Sequence, residues 1–288
     1  MNKVIDFLGM LFKILLAVLL FVLVQLAVIY AFRLLDIDTG KYEGLFSLIY
    51  SLLTIGIFLI YHKIRTLKSK SLILFDRPDG FSLLSAFVIG FGLLGVVTIY
   101  LFAAYEVADY FEPLQDALER YSENIDRFAQ VEKESVPYWD NILSFISDVF
   151  LITLAEELVF RGIVFGEINR RFNYIVSSLG SALVFGLLHG ISVHIVYALI
   201  CGVVLAFVYY YSGSIWVSYT VHAVFNFMGS ALMTLLDSGI FGDLDDAVLS
   251  ISYHSSVFEI ICILPAVAAF ILMRRLHMQR KEPADEQA

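Results

Sequence analysis

Two adjacent carboxylates, two histidines and an asparagine carry the chemistry this chain can do. Glu156 and Glu157 stand side by side in Ile152-Thr153-Leu154-Ala155-Glu156-Glu157-Leu158-Val159-Phe160-Arg161-Gly162. His189 follows Phe185 by four residues, and Ser218, His222, Asn226 and Ser230 recur at the same spacing. A glutamate beside a histidine can take a proton from water. His222 and Asn226, on one helical face, can donate to a tetrahedral oxyanion, and one such preorganised donor is worth ~2.7–4 kcal/mol. Base, oxyanion donors and an acid for the leaving amine are what peptide-bond hydrolysis by water requires.

Zinc offers a competing route, since Glu156, His189 and His222 make a possible three-ligand set. The helical H-E-x-x-H pattern is absent, and the stretch with both carboxylates holds no histidine. There is no G-x-S-x-G elbow, and neither Cys201 nor Cys262 stands near a candidate base in sequence, so a serine or cysteine nucleophile is not indicated. Glu157 and Arg161 are four apart and can pair along a helix. Glu156 then points about 100° away from Glu157 and is expected to project elsewhere. Two carboxylates and one guanidinium leave one negative charge, which needs a proton, a histidine or a metal.

The elements that hold these residues are apolar. Of 288 residues, 59% are hydrophobic and 16% charged, against about 45–50% and about 25% in soluble domains. That excludes a disordered tail, a nucleic-acid binder, a collagen-like fibre and an ordinary cytosolic enzyme. A span needs about 20 mostly apolar residues. Eight stretches approach this: 8–34, 45–61, 81–105, 141–166, 174–191, 194–211, 214–236 and 252–273. The first is too long for a signal-peptide core and lacks a clear small-residue cleavage site. The expected fold is an all-α, polytopic membrane helix bundle of about eight transmembrane helices. It forms one integral-membrane domain over 1–288, with its chemistry in 140–236.

Lys and Arg set orientation. Lys63, Arg65, Lys68, Lys70 and Arg77 lie between spans two and three; Arg170 and Arg171 follow span four; Arg274, Arg275, Arg280 and Lys281 follow span eight. These connections read as cytoplasmic, with both termini inside and a polar cytoplasmic tail over 277–288. Of 28 acidic residues, 17 fall in the opposite connections, among them Asp237, Asp243, Asp245 and Asp246. The net charge of −9 is therefore mostly a property of the outer face. Within the outer 106–140 segment, Leu114, Leu118, Tyr121, Ile125 and Phe128 make one apolar stripe behind Pro113, as in a surface amphipathic helix or a lid.

Ionisable residues inside spans are costly and mark sites. Asp148 lies two turns outward of Glu156, and Glu259 sits in the outer part of span eight, which Pro265 is expected to kink. His194 and His254 fall near span ends, at the interface by default. Small-residue stripes at Ser178, Ala182, Gly186, Gly190 and at Ala198, Gly202, Ala206 permit close helix approach. One expectation conflicts with the rest. Full, upright helices would separate His189 from Glu156 and His222 by roughly 10–15 Å in depth, so the His189–His194 turn is expected to be sunk into the bundle, with helix tilt as a further contributor.

Glu156-Glu157-x-x-x-Arg161, Phe185-x-x-x-His189 and His222-x-x-x-Asn226, in that order on separate spans, resemble the three motifs of the CPBP (Abi, CAAX prenyl endopeptidase-like) family of intramembrane proteases and bacteriocin-processing proteins. The strings Glu-Glu-Leu-Val-Phe-Arg-Gly and His-Ala-Val-Phe-Asn strengthen the likeness, which covers about 140–236. The resemblance implies an eight-helix bundle with an internal cavity. It makes Glu156 and His189 the water-activating pair, and His222 and Asn226 the oxyanion hole. Glu157, Arg161 and Phe185 become supporting residues. The family has been labelled metal-dependent, and a metal-free glutamate mechanism is also proposed for it. The implied partners are the lipid bilayer and a peptide or membrane-protein substrate. The alternative is a non-proteolytic membrane protein, such as a bacteriocin-immunity or partner-binding factor. A proton-coupled transporter would predict inverted repeats, and the sequence shows none.

Overall fold

The computed structural model describes residues 3–67, 71–190, 193–232 and 254–285, with the side chains of 3, 124–135 and 281–285 set aside. The acidic run 237–246, Lys68, Lys70, the side chains of Ile125 and Phe128 and the last residues of the tail lie outside what is described.

Helices account for almost all of the described chain. They are α1 (Lys3–Leu34), α2 (Glu43–Thr66), α3 (Gly80–Ala108) and α4 (Glu112–Ser135). Helix α5 is continuous through Tyr138–Ile146, Ser147–Ile152, Thr153–Glu157, Leu158–Val164 and Phe165–Asn169, the second and fourth pieces being wide π-helical turns. Then come α6 (Tyr174–Leu188), α7 (Val193–Ser212), α8 (Ile215–Asn226, with a π turn over Phe227–Ala231) and α9 (Ile263–Asp285), which continues helical residues 254–261 after a turn. Pauses in the α pattern of this kind occur often at functional sites; here one lies on each side of Thr153–Glu157.

Among the described residues, five helices are long and apolar enough to cross a membrane: Val4–Leu34, Glu43–Thr66, Gly80–Ala108, Val193–Ser212 and His254–Arg280. The other expected spans are shorter or interrupted. Tyr174–Leu188 has 15 residues, and α5 and α8 are divided by π turns. The bundle is all-α and membrane-embedded in character. Outward-facing Leu, Ile and Phe cover α1 and α9, as expected of surfaces that meet lipid tails. The last helix turns at Cys262, one turn ahead of Pro265, where the proline ring displaces the preceding carbonyl.

Helix α5 runs through the middle and touches α1, α2, α6, α7 and α8. Nearly every residue from Leu158 to Ile168 is buried. At one end, Asp140 supplies the N-terminal cap of α2 from 96 residues away: its carboxylate accepts from Gly44 N at 2.7 Å and from Leu45 N at 2.9 Å. Asp140 backbone lies where a Gly44 Cβ would stand, so only glycine allows the approach. At the other end, buried Glu167 accepts from Arg65 Nε at 3.0 Å and lies 3.7 Å from Lys13. Arg280 pairs with Asp79 at that same end.

The chain between α2 and α3 is drawn inward there. Leu72 and Ile73 are buried, and Ile73 lies against Gly162, where a side chain would overlap it. Leu74 N donates to the Tyr209 hydroxyl at 2.9 Å, Leu74 O accepts from Ile215 N, and Ser214 Oγ donates to Asp76 O. The glycine of Glu-Glu-Leu-Val-Phe-Arg-Gly thus receives a plug that closes this end beneath the carboxylates.

The small-residue stripes pack at Ala182, Gly186 and Gly202, whereas a Cβ on Gly190, past the end of α6, would meet nothing described within 4 Å. A Cβ on Gly186 would meet Leu199, and one on Gly202 would meet Ala182 and Phe185, so α6 and α7 lie close together. Helix α4 folds back onto the bundle instead of lying apart from it. Leu118 is buried against Ala104, Ala108 and Val193, with Leu114 beside them, and Tyr121 meets the His194 ring edge-on.

Candidate active site

The depth conflict is resolved by the length of α6. Fifteen residues rise only about 22 Å, short of a hydrocarbon core of about 30 Å. His189 caps this short helix, and Gly190 follows at φ +87°, a left-handed turn that suits glycine. His189 therefore ends inside the bundle, level with Glu156: its Nε2 lies 4.0 Å from Glu156 Oε1.

Glu157 and Arg161 pair at 3.1 Å, four residues apart and both fully buried. The Arg161 guanidinium also lies over the Phe185 ring at 4.6 Å, a cation–π contact that partly offsets its loss of water. Phe185 touches His189 and His222 as well, with centroids at 4.3 and 5.8 Å.

His222 Nδ1 lies 2.9 Å from Glu157 Oε1, and its Nε2 lies 3.6 Å from Glu156 Oε2. This corrects one expectation. Glu156 does not project away from the Glu157 group; both carboxylates meet the same ring. The two imidazole nitrogens face different directions, so one histidine reaches two carboxylates that leave the helix about 100° apart. His222 also answers the charge count: when it is protonated, Glu156, Glu157, Arg161 and His222 sum to zero.

The second nitrogens fix orientation. A carbonyl only accepts, so His189 Nδ1–H donates to Phe185 O at 2.8 Å and leaves Nε2 to face Glu156. Ionised Glu157 likewise accepts from His222 Nδ1–H. Asn226 is anchored on α5, where Nδ2 donates to Thr153 Oγ1 at 2.9 Å and reaches Asp148 O at 3.4 Å. Thr153 Oγ1 donates in turn to Asp148 O. The row on α8 faces inward through Ser218, His222 and Asn226, but Ser230 is exposed, because the π turn over Phe227–Ala231 rotates it out of line.

His189, His222 and Asn226 line a cavity with Phe185, Phe225 and the α7 residues His194, Tyr197, Ala198, Cys201 and Leu205. It holds about 360 Å³ of empty space including its mouth. Sequence reasoning missed Thr153 and the role of the α7 wall: His194 was expected at the interface and Ala198 in a packing stripe, and Tyr197, Cys201 and Leu205 carry no sequence signal that separates a cavity face from a lipid face. Thr153 precedes Glu157 by one turn and is by type an ordinary span residue. Asp148 and Glu259 stay outside the cluster: Asp148 accepts from Ser144, and Glu259 accepts from Thr98 at 3.2 Å.

Glu156 and the two Nε2 atoms are also the donor set a zinc ion would take, with each Nδ1 held by an outer partner as metal-binding histidines are. Among the described residues, no three His, Cys, Asp or Glu side chains are gathered closely enough to hold a metal ion.

Residues 138–228 match the family model "Type II CAAX prenyl endopeptidase Rce1-like". This segment contains all three motifs, and the resemblance read from them holds there. The chain is also similar to a protein of Bacillus subtilis (strain 168) named putative membrane peptidase YdiL. The two are 24% identical over 138 residues, covering 46% of this chain and 55% of that relative. The chain thus spans about half the length of the curated relative it matches. No solved structure matches.

Proposed function

We propose that the protein is an intramembrane endopeptidase that cleaves a membrane-associated peptide or protein by attack of an activated water. The observation that carries this reading is that Glu156 faces Nε2 of both His189 and His222, at 4.0 and 3.6 Å, beside a cavity. The match to a prenyl endopeptidase family and the likeness to a putative membrane peptidase support it.

A separation of 4.0 Å between Glu156 Oε1 and His189 Nε2 is too long for a direct hydrogen bond and suits one water bonded to both. Glu156 takes a proton from that water as its oxygen bonds to the substrate carbonyl carbon. Protonated His222, through Nε2–H, and Asn226, through the proton on its longer contact, stabilise the oxyanion. Glu156 then passes its proton to the leaving nitrogen. The C–N bond breaks, giving a carboxylic acid terminus and an amine. Glu157, with Arg161 behind it, holds His222 in the orientation this needs.

The cavity residues belong to the end of the bundle opposite the Leu72–Ile73 plug. With Arg65, Arg77, Arg170, Arg171, Arg274 and Arg280 gathered at the plugged end, both termini are cytoplasmic in this proposal and the cavity opens toward the face that carries α4. The deciding experiment uses the full chain in nanodiscs with membrane peptides drawn from a strain lacking it. The wild type produces new cleavage termini, and Glu156→Ala and His189→Ala produce none while remaining folded. Identical cleavage by Glu156→Ala overturns the mechanism.

A further inference from the structure

Two residues of the cavity touch a helix that the steps above do not use. His194 and Tyr197, in the first turns of α7, line the cavity with His189. The Tyr121 ring of α4 meets the His194 ring edge-on, with centroids 6.4 Å apart, and the Tyr121 and Tyr197 hydroxyls share a hydrogen bond. His194 in turn stacks on Tyr197 at 4.4 Å and lies 5.5 Å from the His189 ring. One row of rings therefore runs from the surface helix to the histidine that faces Glu156.

Helix α4 is attached by one narrow stripe. Leu114, Ala117 and Leu118 pack against Ala104, Ala108 and Val193, while Gln115, Asp116, Glu119, Arg120 and Glu123 are exposed. That polar face meets water whether or not the stripe is seated. Both ends of α4 are breaks in the helical path. Extended Phe111 precedes Glu112-Pro113, and extended Val136 precedes Pro137. Proline suits a first helical turn and keeps the residue before it out of the helical conformation, so α4 can pivot as a unit without bending a helix. Its surroundings are tied down. Tyr100 of α3 donates to Val193 O at 3.1 Å, and Asp140 ties the first turn of α5 to α2.

We infer that α4 is a lid on the mouth of the cavity and that Tyr121 is its latch. Seated, Tyr121 holds His194 and Tyr197 at the rim and keeps His194 beside His189. Lifting the stripe off Val193 opens the way from the α4 face to Glu156 and releases His194. Substrate enters in the lifted state, and the reaction runs in the seated one, as lids that exclude water from a reaction do. That the traffic through the mouth is a substrate for hydrolysis rests on the endopeptidase reading; the movement of α4 does not.

The test reads the lid by a thiol and then by cleavage. Cys201 lines the cavity and is 5% exposed, and labelling of such a thiol follows the fraction of open molecules. Full-length protein in nanodiscs is treated with a small, charged methanethiosulfonate reagent, and modification is followed by mass spectrometry. Cys262, on the last helix and partly exposed, is the internal control. Tyr121→Phe should speed Cys201 labelling by about 2–10-fold, the weight of one hydrogen bond. Tyr121→Ala, which removes the ring as well, should speed it by about tenfold or more. The rate at Cys262 should not change. Equal Cys201 rates in all three proteins overturn the lid, as does a parallel rise at Cys262, which would mean that the whole bundle has loosened. Tyr121→Phe keeps the test decisive if Tyr121→Ala does not fold. In a second arm, Leu118→Cys with Val193→Cys is oxidised to tie the stripe to α7, with wild type oxidised alongside. Cleavage of membrane peptides should stop in the tied protein and return on reduction. Cleavage at the wild-type rate in the tied protein overturns the lid. If Tyr121→Ala speeds Cys201 labelling alone and wild type cleaves nothing, the lid stands and the endopeptidase reading falls.

Discussion

His222 Nδ1 lies 2.9 Å from buried Glu157 Oε1, and this one bond turns Nε2 of the same ring toward Glu156. Two neighbouring carboxylates thereby acquire different work. Glu157, paired with Arg161 and fully buried, is an orienting group; Glu156, 14% exposed at its side chain, is the carboxylate that can reach water.

Exchange of Glu157 for Gln should therefore slow turnover with little change in KM, because a neutral amide no longer balances the charge of the His222 imidazolium, and its NH₂ can turn toward Nδ1–H, where only an acceptor orients the ring. A loss of about 10²-fold or more in kcat is expected, in the range of a removed oxyanion donor. Unaltered kcat in a folded Glu157→Gln protein would show that Glu157 does not orient His222.

Removing the cation should act on stability. Arg161→Ala leaves Glu157 as a buried charge balanced only by His222, and breaking a buried pair in this way costs about 3–5 kcal/mol. Thermal unfolding in detergent should show a large drop for Arg161→Ala, and a smaller one for Arg161→Met with Glu157→Gln, where neither charge remains. Equal drops would remove the ion pair from the account of stability.

The positions of these groups were legible in the sequence to unequal degrees. Glu156, Glu157, Arg161, His189, His222 and Asn226 stand out because charge and amide groups are costly in lipid, and the four-residue spacing of Glu157 and Arg161 is a local property that survives in the fold. The apolar runs likewise show where helices must be. The convergence of Glu156 and Glu157 on one ring was not legible, since it depends on where α8 places His222 against α5. Nor was the early end of α6, because apolarity continues past Leu188 and only the left-handed Gly190 marks the stop. The rotation that exposes Ser230 comes from a π turn, for which residue types give no signal. The α7 wall was illegible for a further reason: apolar residues facing a cavity and apolar residues facing lipid look the same.

Thr153→Val keeps shape and removes the hydroxyl that holds Asn226. Loss of one neutral hydrogen bond costs about 0.5–1.5 kcal/mol of stability, whereas release of the Asn226 amide should lower kcat by more than that stability change alone implies. Parallel measurement of unfolding temperature and kcat separates the two. A Thr153→Ser protein should recover most of the rate, and its failure to do so would point to packing at the Thr153 methyl.

The plug at the opposite end makes a prediction about pairing. A methyl on Gly162 would overlap Ile73, so Gly162→Ala should destabilise the protein by about 1–3 kcal/mol through overpacking. Ile73→Ala opens a cavity in a buried site and should cost about 2–5 kcal/mol alone. Combined, the inserted methyl occupies part of the space that was vacated, and the double variant should be more stable than the sum of the single effects by at least about 0.5 kcal/mol. Strict additivity would mean that Leu72 and Ile73 do not press on Gly162 in the membrane-embedded protein. Coupling would instead establish that the chain between α2 and α3 seals the bundle beneath Glu157, leaving the α4 end as the way to Glu156.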